Sequence, residues 1–572
     1  MDPAELRART QRWIADDPDP ATRAELFALL AQPDPAKTDL ADRFAGPLAF
    51  GTAGLRGVLG AGPNRMNRAV VARATWGLAR ELLASVPNAA ERGVVVGGDA
   101  RRMSREFVED VAAILAGAGL PVVLFGDPVP TPLVGFTVKR LRAAAGVVIT
   151  ASHNPPEYNG YKVYWENAAQ IVPPVDARIA AAIERAPSAR VVVRPALDVL
   201  REQGRVTDAP SDSEAAYLAG VAALAVHPDE GQRDLHIVYT PLHGVGDAVV
   251  RRALAAARFT RVESVPEQQK PDGAFPTVAF PNPEEPGSMD RAVALARAGE
   301  ADLILANDPD VDRLAVAVRE GGDYRQLTGN ELGVLLGHYL LTEKPVTRPR
   351  AVLASIVSSP LLGRIAADLG VRYEETLTGF KWIAARAIAL EREGFEFVFG
   401  YEEALGYCVG SVVFDKDGIS AALLAAEIAA VLKQRGETIG GALEAIARRW
   451  GVFTSAQVSL TRKGAAGVAA IRAMMAGLRA SPPRQLAGDP VVGVIDYQAG
   501  VRDLPRSDVI ALELGSGSRV VARPSGTEPK AKFYFDVRAA PEGGDVAAAR
   551  QSALGTMERL KEAFLAQLEG RS

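Results

Sequence analysis

The sequence predicts an α/β protein: three related α/β domains followed by a C-terminal α+β domain. Two observations lead there. First, one pattern recurs three times along the chain. A short β-branched run enters a polar or glycine-rich loop, an Ala/Leu-rich helical pattern follows, and a second apolar run enters a loop dense in polar residues. Second, the last part of the chain abandons this alternation for clustered strand patterns joined by Gly-Ser turns.

The first pair is GVVVGGDARRMS (93–104) with GVVITASHNPP (146–156). The second is LHIVYTPLHGVG (235–246) with ADLILANDPDVDR (301–313), and the third RAVLASIVSSP (350–360) with FEFVFGYEEALGY (395–407). Loops at strand ends are where α/β sheets hold ligands. The tail reads as strands GVFTSAQVSL, VVGVIDYQAG and ALELGSGSRVVARPSGTEPKAKFYFDV, with a final helix from about Val546 to Leu568. The expected domains are 1–208, 209–324, 325–450 and 451–572.

A chain of 572 residues suits several domains and a substantial core. The net charge of −4 supplies no basic field, so no nucleic-acid partner is expected. One cysteine, Cys408, allows neither an intrachain disulfide nor a cysteine zinc cluster. No apolar run reaches membrane-span length, and the start MDPAELRARTQRWIADD lacks the order of a signal peptide. The expectation is a soluble, cytoplasmic protein with no membrane partner.

Four motifs carry chemistry. In NDPDVDRL, Asp308, Asp310 and Asp312 alternate, which in extended backbone puts three carboxylates on one face. Such carboxylates repel unless a cation joins them, and an all-oxygen set suits Mg²⁺ or Ca²⁺. Arg313 and Arg319 stand where an EF-hand needs Gly and Glu, so Mg²⁺ fits better. A solvated acidic loop is the ordinary alternative. In RPSGTEPKAKFY, Arg523, Ser525, Gly526 and Thr527 offer a guanidinium fork, hydroxyls and open amides, a phosphate cradle or a plain hairpin tip. GYEEALGY sets Glu402 and Glu403 at a strand end, able to accept sugar hydroxyls or to lie in solvent. Nearby TGFKW offers Lys381. TASHNPPEYNGYKVYW ends a strand on Ser152 and His153, with Lys162 following. Adjacent residues in a strand point oppositely, and no G-x-S-x-G elbow surrounds the serine, so a Ser-His hydrolase is not indicated. A serine carrying a phosphoryl group, completing the coordination of a cation on the aspartates, is the alternative. The glycine-rich segment RFAGPLAFGTAGLRGVLGAGPNRMN around Arg56 can bring amides to an anion or form a surface loop. VPEQQKPDGAFPTVAFPNPEEPG (265–287), rich in proline and charge, is long for a loop and stays without an assigned role.

Together and in this order, TASHNPPEYNGYKVYW, NDPDVDR, GYEEALGY and RPSGTEPK resemble the α-D-phosphohexomutase superfamily. FGTAGLRG and GYKVYWENAAQIVPP most resemble its phosphoglucomutase-2/phosphopentomutase branch. The resemblance implies four domains around a cleft, the fourth similar to the TATA-box-binding protein. It implies a catalytic set of Ser152, Lys162, Arg56 and His153, with Lys162 a candidate general acid or base. It also implies one Mg²⁺ on Asp308, Asp310, Asp312 and the Ser152 group. Substrate contacts would come from Glu402, Glu403, Gly379, Lys381 and Arg313, and phosphate contacts from Arg523, Ser525, Gly526 and Thr527. The implied activity moves a phosphoryl group between C1 and the terminal hydroxyl of an aldose phosphate through phosphoserine and a sugar 1,6-bisphosphate. Glucose 1-phosphate is the first expectation, with pentose and mannose phosphates as alternatives and a bisphosphate synthase or phosphatase behind them. The chain would act as monomer or homodimer. Ala404 stands where many hexose-phosphate members carry serine, which removes one sugar contact.

Overall fold

The structure is a computed structural model describing residues 2–32, 38–51, 54–230, 233–462, 464–501, 503–524 and 530–569. It divides into two compact units. The first comprises Met1–Gln326, Ala384–Ala389 and Leu405–Val431, and the second Leu327–Ile383, Leu390–Ala404 and Leu432–Ser572.

In the first unit, β1 (Leu55–Val58), β2 (Val94–Gly98), β3 (Val122–Leu124), β4 (Ala145–Ile149), β5 (Tyr158–Tyr164) and β6 (Val206–Asp208) form one sheet of order β1-β5-β4-β2-β3-β6. β4, β2, β3 and β6 run parallel, and β5 runs antiparallel to both its neighbours, β4 and β1. β2 and β4 are buried throughout, as their unbroken apolar sequence requires of strands covered on both faces. Val71, Leu78 and Leu82 of helix Arg68–Ser85 and Phe107, Val111 and Leu115 of helix Ser104–Gly117 share a core with Val94, Val96, Val147 and Ile149. The motif-bearing segments 99–104 and 150–157 therefore leave the carboxyl ends of neighbouring parallel strands. At the N-terminus, helices Pro3–Asp16 and Pro20–Leu30, each capped by aspartate with proline in the first turn, close a small cluster of Leu6, Ile14, Leu26, Leu30, Leu40 and Phe44.

The second sheet, also in the first unit, contains β7 (Ile237–Thr240), β8 (Val262–Ser264), β9 (Leu303–Ala306), β10 (Ala315–Glu320) and β11 (Asp323–Gln326), in the order β11-β10-β9-β7-β8. β9, β7 and β8 are parallel. The aspartate motif joins β9 to β10. It lies against the loop after β7 so closely that a Cβ on Gly244 would stand 2.3 Å from Pro309 Cα, so no side chain fits there.

The second unit carries a parallel layer, β13-β12-β14, built from β12 (Arg350–Ser355), β13 (Arg372–Thr376) and β14 (Glu396–Glu402). The chain continues through β15 (Gly406–Val409), which belongs to the first unit. Then come β16 (Val452–Thr461), β17 (Gln485–Leu486), β18 (Asp489–Asp496), β19 (Ile510–Leu514), β20 (Arg519–Pro524) and β21 (Lys530–Ala539). They form an antiparallel sheet of order β16-β21-β20-β19-β18-β17. Strand alternation separates its faces. Val520 and Ala522 pack with helices Gly464–Ala480 and Val546–Glu569, whereas Val521 and Tyr534 pack with Ile356, Val357 and Leu377 of the preceding α/β layer. The expected architecture of three α/β domains and a C-terminal α+β domain is borne out. Among the described residues no helix is long and apolar enough to cross a membrane.

Arg519 ties the two layers of the second unit together. It pairs with Glu375 at 2.8 Å, donates to the Ser358 carbonyl at 2.8 Å and lies 3.5 Å from Asp536. Both carboxylates would lose their cation on substitution. Arg519→Met is expected to lower unfolding stability by about 3–5 kcal/mol, the usual effect of breaking a buried pair. Urea denaturation checks this, and a loss under about 1 kcal/mol would show the clamp to be energetically idle.

Candidate active site

β4 delivers the chain to Thr150, whose hydroxyl accepts the Ser152 N–H at 2.8 Å and donates to Asp99 at 2.6 Å. Ser152 is buried and adopts φ +55°, the left-handed region that costs a residue with a Cβ about 1–2 kcal/mol. This turn corrects the expectation that neighbouring side chains point apart. Because Ser152 is not extended, its Oγ lies 3.2 Å from Nδ1 of His153, and the same hydroxyl donates to Asp308 Oδ2 at 2.8 Å.

Asp308, Asp310 and Asp312 are fully buried, with one carboxylate oxygen of each within 4.8 Å of the others. They do not gather by strand alternation, as the spacing suggests. The segment turns, with Val311 at φ +63°, and the turn brings the carboxylates together. Asp308 Oδ1 accepts the Arg313 N–H at 3.0 Å. Asp310 Oδ2 accepts Thr131 Oγ1 and Lys162 Nζ, both at 2.7 Å. Asp312 Oδ2 accepts Lys162 Nζ at 2.8 Å and lies 3.1 Å from Lys416 Nζ. Burial, with Asp312 and Asp310 beside it, pushes the Asp308 carboxyl well above the usual range. Burial acts on Asp312 too, but Lys162, Lys416 and Arg313 outweigh it and hold that carboxyl below the usual range. Burial lowers the affinity of Lys162 for its proton, yet Asp310, Asp312 and Asp415 reverse the effect and keep it an ammonium. Burial and the nearby Arg313 and Arg56 keep His153 neutral at pH 7.

The remaining oxygens decide what the site can hold. Oδ1 of Asp310 and Oδ1 of Asp312 are buried without a hydrogen-bond donor. Two orphaned carboxylate oxygens facing a third carboxylate fit a hard divalent cation, for which oxygen donors are the preferred ligands.

Arg56 on β1 reaches Asn154 Oδ1 at 3.3 Å, over the serine loop. The Arg313 guanidinium lies 3.9 Å from Asp312 and 3.8 Å from Glu284. Ser152, His153, Lys162, Arg56, Arg313 and the aspartates are thus gathered in the first unit. Sequence reasoning missed Lys416, Asp415, Thr131, Asp99 and Arg101. FDKDG (414–418), with three charged residues just before the apolar helix Gly418–Gln434, was the available signal for Lys416 and Asp415. Asp415 accepts Tyr164 Oη at 2.6 Å and Gln170 Nε2 at 2.7 Å.

The other candidates lie in the second unit. Glu402 Oε1 accepts the Gly379 N–H at 2.6 Å, so two of the expected sugar contacts meet. Glu403 accepts Ser355 and Ser358 hydroxyls at 3.2 and 3.3 Å, while its N–H donates to Ser358 Oγ at 3.1 Å. Lys381 is buried, its ammonium 5.2 Å from the Trp382 ring centroid. Arg523 sits opposite Lys532 on β20 and β21 and hydrogen-bonds Tyr534. Ser525, Gly526 and Thr527 lie outside the described residues.

Comparison with known proteins agrees with this fold. Residues 47–190, 215–322 and 328–449 match models of phosphoglucomutase/phosphomannomutase α/β/α domains I, II and III respectively. A Haemophilus influenzae protein named "Probable phosphomannomutase" is 41% identical over 83% of this chain and 93% of its own length. A human phosphopentomutase is 36% identical over 95% of this chain and 93% of its own. The open form of the Paramecium phosphoglucomutase parafusin superposes with a TM-score of 0.68 at 18% identity, covering 92% of this chain and 96% of that one.

If the orphaned oxygens hold a cation, Asp310→Asn, which deletes one carboxylate charge, weakens Mg²⁺ binding at least about tenfold. Titration calorimetry on the unphosphorylated protein measures it, and equal affinity in the variant would rule out the aspartate site.

Proposed function

Because the chain belongs to the phosphoglucomutase/phosphomannomutase family, and is therefore an isomerase, an intramolecular phosphotransferase, we propose how it works and on what. It moves a phosphoryl group between C1 and the terminal hydroxyl of an aldose phosphate, with Ser152 as carrier. The observation that carries this reading is the Ser152 hydroxyl 2.8 Å from Asp308, beside two carboxylate oxygens without donors.

Phospho-Ser152 meets a free sugar hydroxyl. The Oγ–P bond breaks, the sugar O–P bond forms, and the hydroxyl proton ends on Ser152 Oγ. His153, neutral and 3.2 Å from that oxygen, is placed to relay the proton. Lys162 and Arg56 supply positive charge toward the transferring group. Asp308, Asp310 and Asp312 would hold Mg²⁺, which when bound neutralises charge on the phosphoryl oxygens. The resulting bisphosphate turns end over end, and its other phosphoryl returns to Ser152. Glu402, Glu403, Gly379 and Lys381 act as the sugar loop, and Arg523 with Ser525, Gly526 and Thr527 anchors the phosphate that does not react. Residues 1–208, 209–324, 325–450 and 451–572 each contribute one of the four loops.

Glucose 1-phosphate is the first substrate reading. Pentose 1-phosphates are the second, favoured by Ala404, which offers no hydroxyl, and by the end-to-end likeness to a phosphopentomutase.

Ser152→Ala is expected to abolish turnover, a loss beyond about a thousandfold for a covalent carrier. It should leave the folded spectrum intact, and full activity would eliminate the carrier scheme. Initial rates on glucose, ribose, deoxyribose and mannose 1-phosphates, each with catalytic bisphosphate, decide the sugar. If one pentose phosphate exceeds glucose 1-phosphate in kcat/KM, the second reading replaces the first.

A further inference from the structure

The proline-rich segment 265–287, whose Glu284 lies 3.8 Å from Arg313, also reaches the serine loop through one residue. Arg101, fully buried, follows β2 and reaches under the loop. Its Nη2 donates to the carbonyls of Ser152 and Asn154, both at 2.6 Å, and its Nη1 to those of Pro155 and Tyr158, at 2.9 and 3.2 Å. Four main-chain carbonyls thus point inward at one guanidinium, which leaves the Ser152 hydroxyl turned toward Asp308. The planar fork matters, because an ammonium cannot present donors to four oxygens spread in this way. Asp99, 3.3 Å from Arg101 Nε, balances the charge and also holds Thr150 and Ser104.

The proline-rich segment supports the same arginine from the other side. The Phe275 ring, 2% exposed, lies 4.9 Å from the Arg101 guanidinium carbon. Gly273 lies so close that a Cβ there would stand 2.7 Å from the Ala100 carbonyl and 2.8 Å from the Arg102 nitrogen. The segment itself is pinned to the end of β7. Thr240 donates to Gln268 at 2.7 Å, Gln268 donates to Thr277 at 2.9 Å, His243 Nε2 lies 2.8 Å from the Thr277 hydroxyl, and the Asp272 N–H reaches the His243 carbonyl at 2.9 Å. Gly244, one residue on, is the glycine packed against Pro309 of the aspartate loop.

We propose that residues 265–287 form a fixed brace which, through Phe275 and Gly273 on Arg101, sets the position of the Ser152 hydroxyl relative to Asp308, Asp310 and Asp312. Arg101, Phe275 and Gly273 are positioning residues: they act through the backbone of the serine loop. One end of β7 thereby references both the carrier and the carboxylates. The inference rests on the reading of Ser152 as phosphoryl carrier.

The test uses the full chain with glucose 1-phosphate, catalytic glucose 1,6-bisphosphate and saturating Mg²⁺. Gly273→Ala, distant from the reacting atoms, is expected to lower kcat about tenfold, and Arg101→Lys about a hundredfold, as displacement of a reacting group by a fraction of an ångström to an ångström does. KM should stay within about twofold, since neither residue is read as a substrate contact. Single-turnover transfer from the bisphosphate to Ser152, followed by intact mass, should slow in parallel. A folded Gly273→Ala enzyme with parental kcat overturns the brace, as does a loss of rate that disappears on cooling to where the variant is fully folded. If Arg101→Lys does not fold, Phe275→Leu takes its place with an expected loss of about fivefold. Ser152→Ala runs alongside: if it is inactive while the brace variants are unimpaired, only the brace fails, and if it is active, the carrier reading fails and the brace with it.

Discussion

The loop after β9 depends on holding three carboxylates out of water within 4.8 Å of one another. At an effective dielectric of about 20, each like-charged pair at that separation repels by about 3 kcal/mol. Burial adds to the difficulty, because no solvent screens the charges. The fold answers with cations from separate segments: Lys162 from β5, Arg313 from the turn itself and Lys416 from the loop before helix Gly418–Gln434. The Ser152 hydroxyl takes Asp308 Oδ2, and the Thr131 hydroxyl shares Asp310 Oδ2 with Lys162. Two oxygens are left without donors, so compensation is deliberate but incomplete, and the deficit is what a divalent cation would fill.

The same region concentrates backbone strain. Ser152, Leu242, His243, Phe275 and Val311 all have positive φ although none is glycine, and all lie in the loops leaving β4, β7, β8 and β9. Such residues persist only where surrounding contacts over-determine them. Here those contacts are identifiable: Arg101 under Ser152, Gly244 against Pro309, and the Gln268–Thr277–His243 hydrogen bonds. Strain and support occur together, as the proposed role of Ser152 requires.

Much of this was legible in the sequence, for physical reasons. Short β-branched runs such as Val94–Val96 and Val147–Ile149 have few fates other than buried parallel strands, and the tail's alternation marks a sheet with two different faces. The aspartates declared themselves because three alternating carboxylates are costly without a cation. What stayed hidden depends on backbone geometry. The orientation of His153 follows from the left-handed turn at Ser152, which no residue type announces. The role of Arg101 was invisible because its partners are carbonyl oxygens, which every residue carries. Glu402 and Glu403 read alike in sequence, yet one meets the Gly379 amide and the other is absorbed by Ser355 and Ser358.

The division of the chain bears on specificity. Every group gathered around Ser152 and the aspartates, from Arg56 to Lys416, belongs to the first unit, whereas Glu402, Ala404, Lys381 and Arg523 belong to the second. A mutase must accept either hydroxyl of its substrate at the reacting end, so that end cannot discriminate among sugars by their hydroxyl pattern. Discrimination must come from groups that contact the rest of the molecule, and these are carried on separate chain segments. On the proposed reading, the residue at position 404 bears on which aldose is preferred and leaves the aspartates, Lys162 and Ser152 undisturbed. The similar proteins carry different substrate names, phosphomannomutase and phosphopentomutase among them.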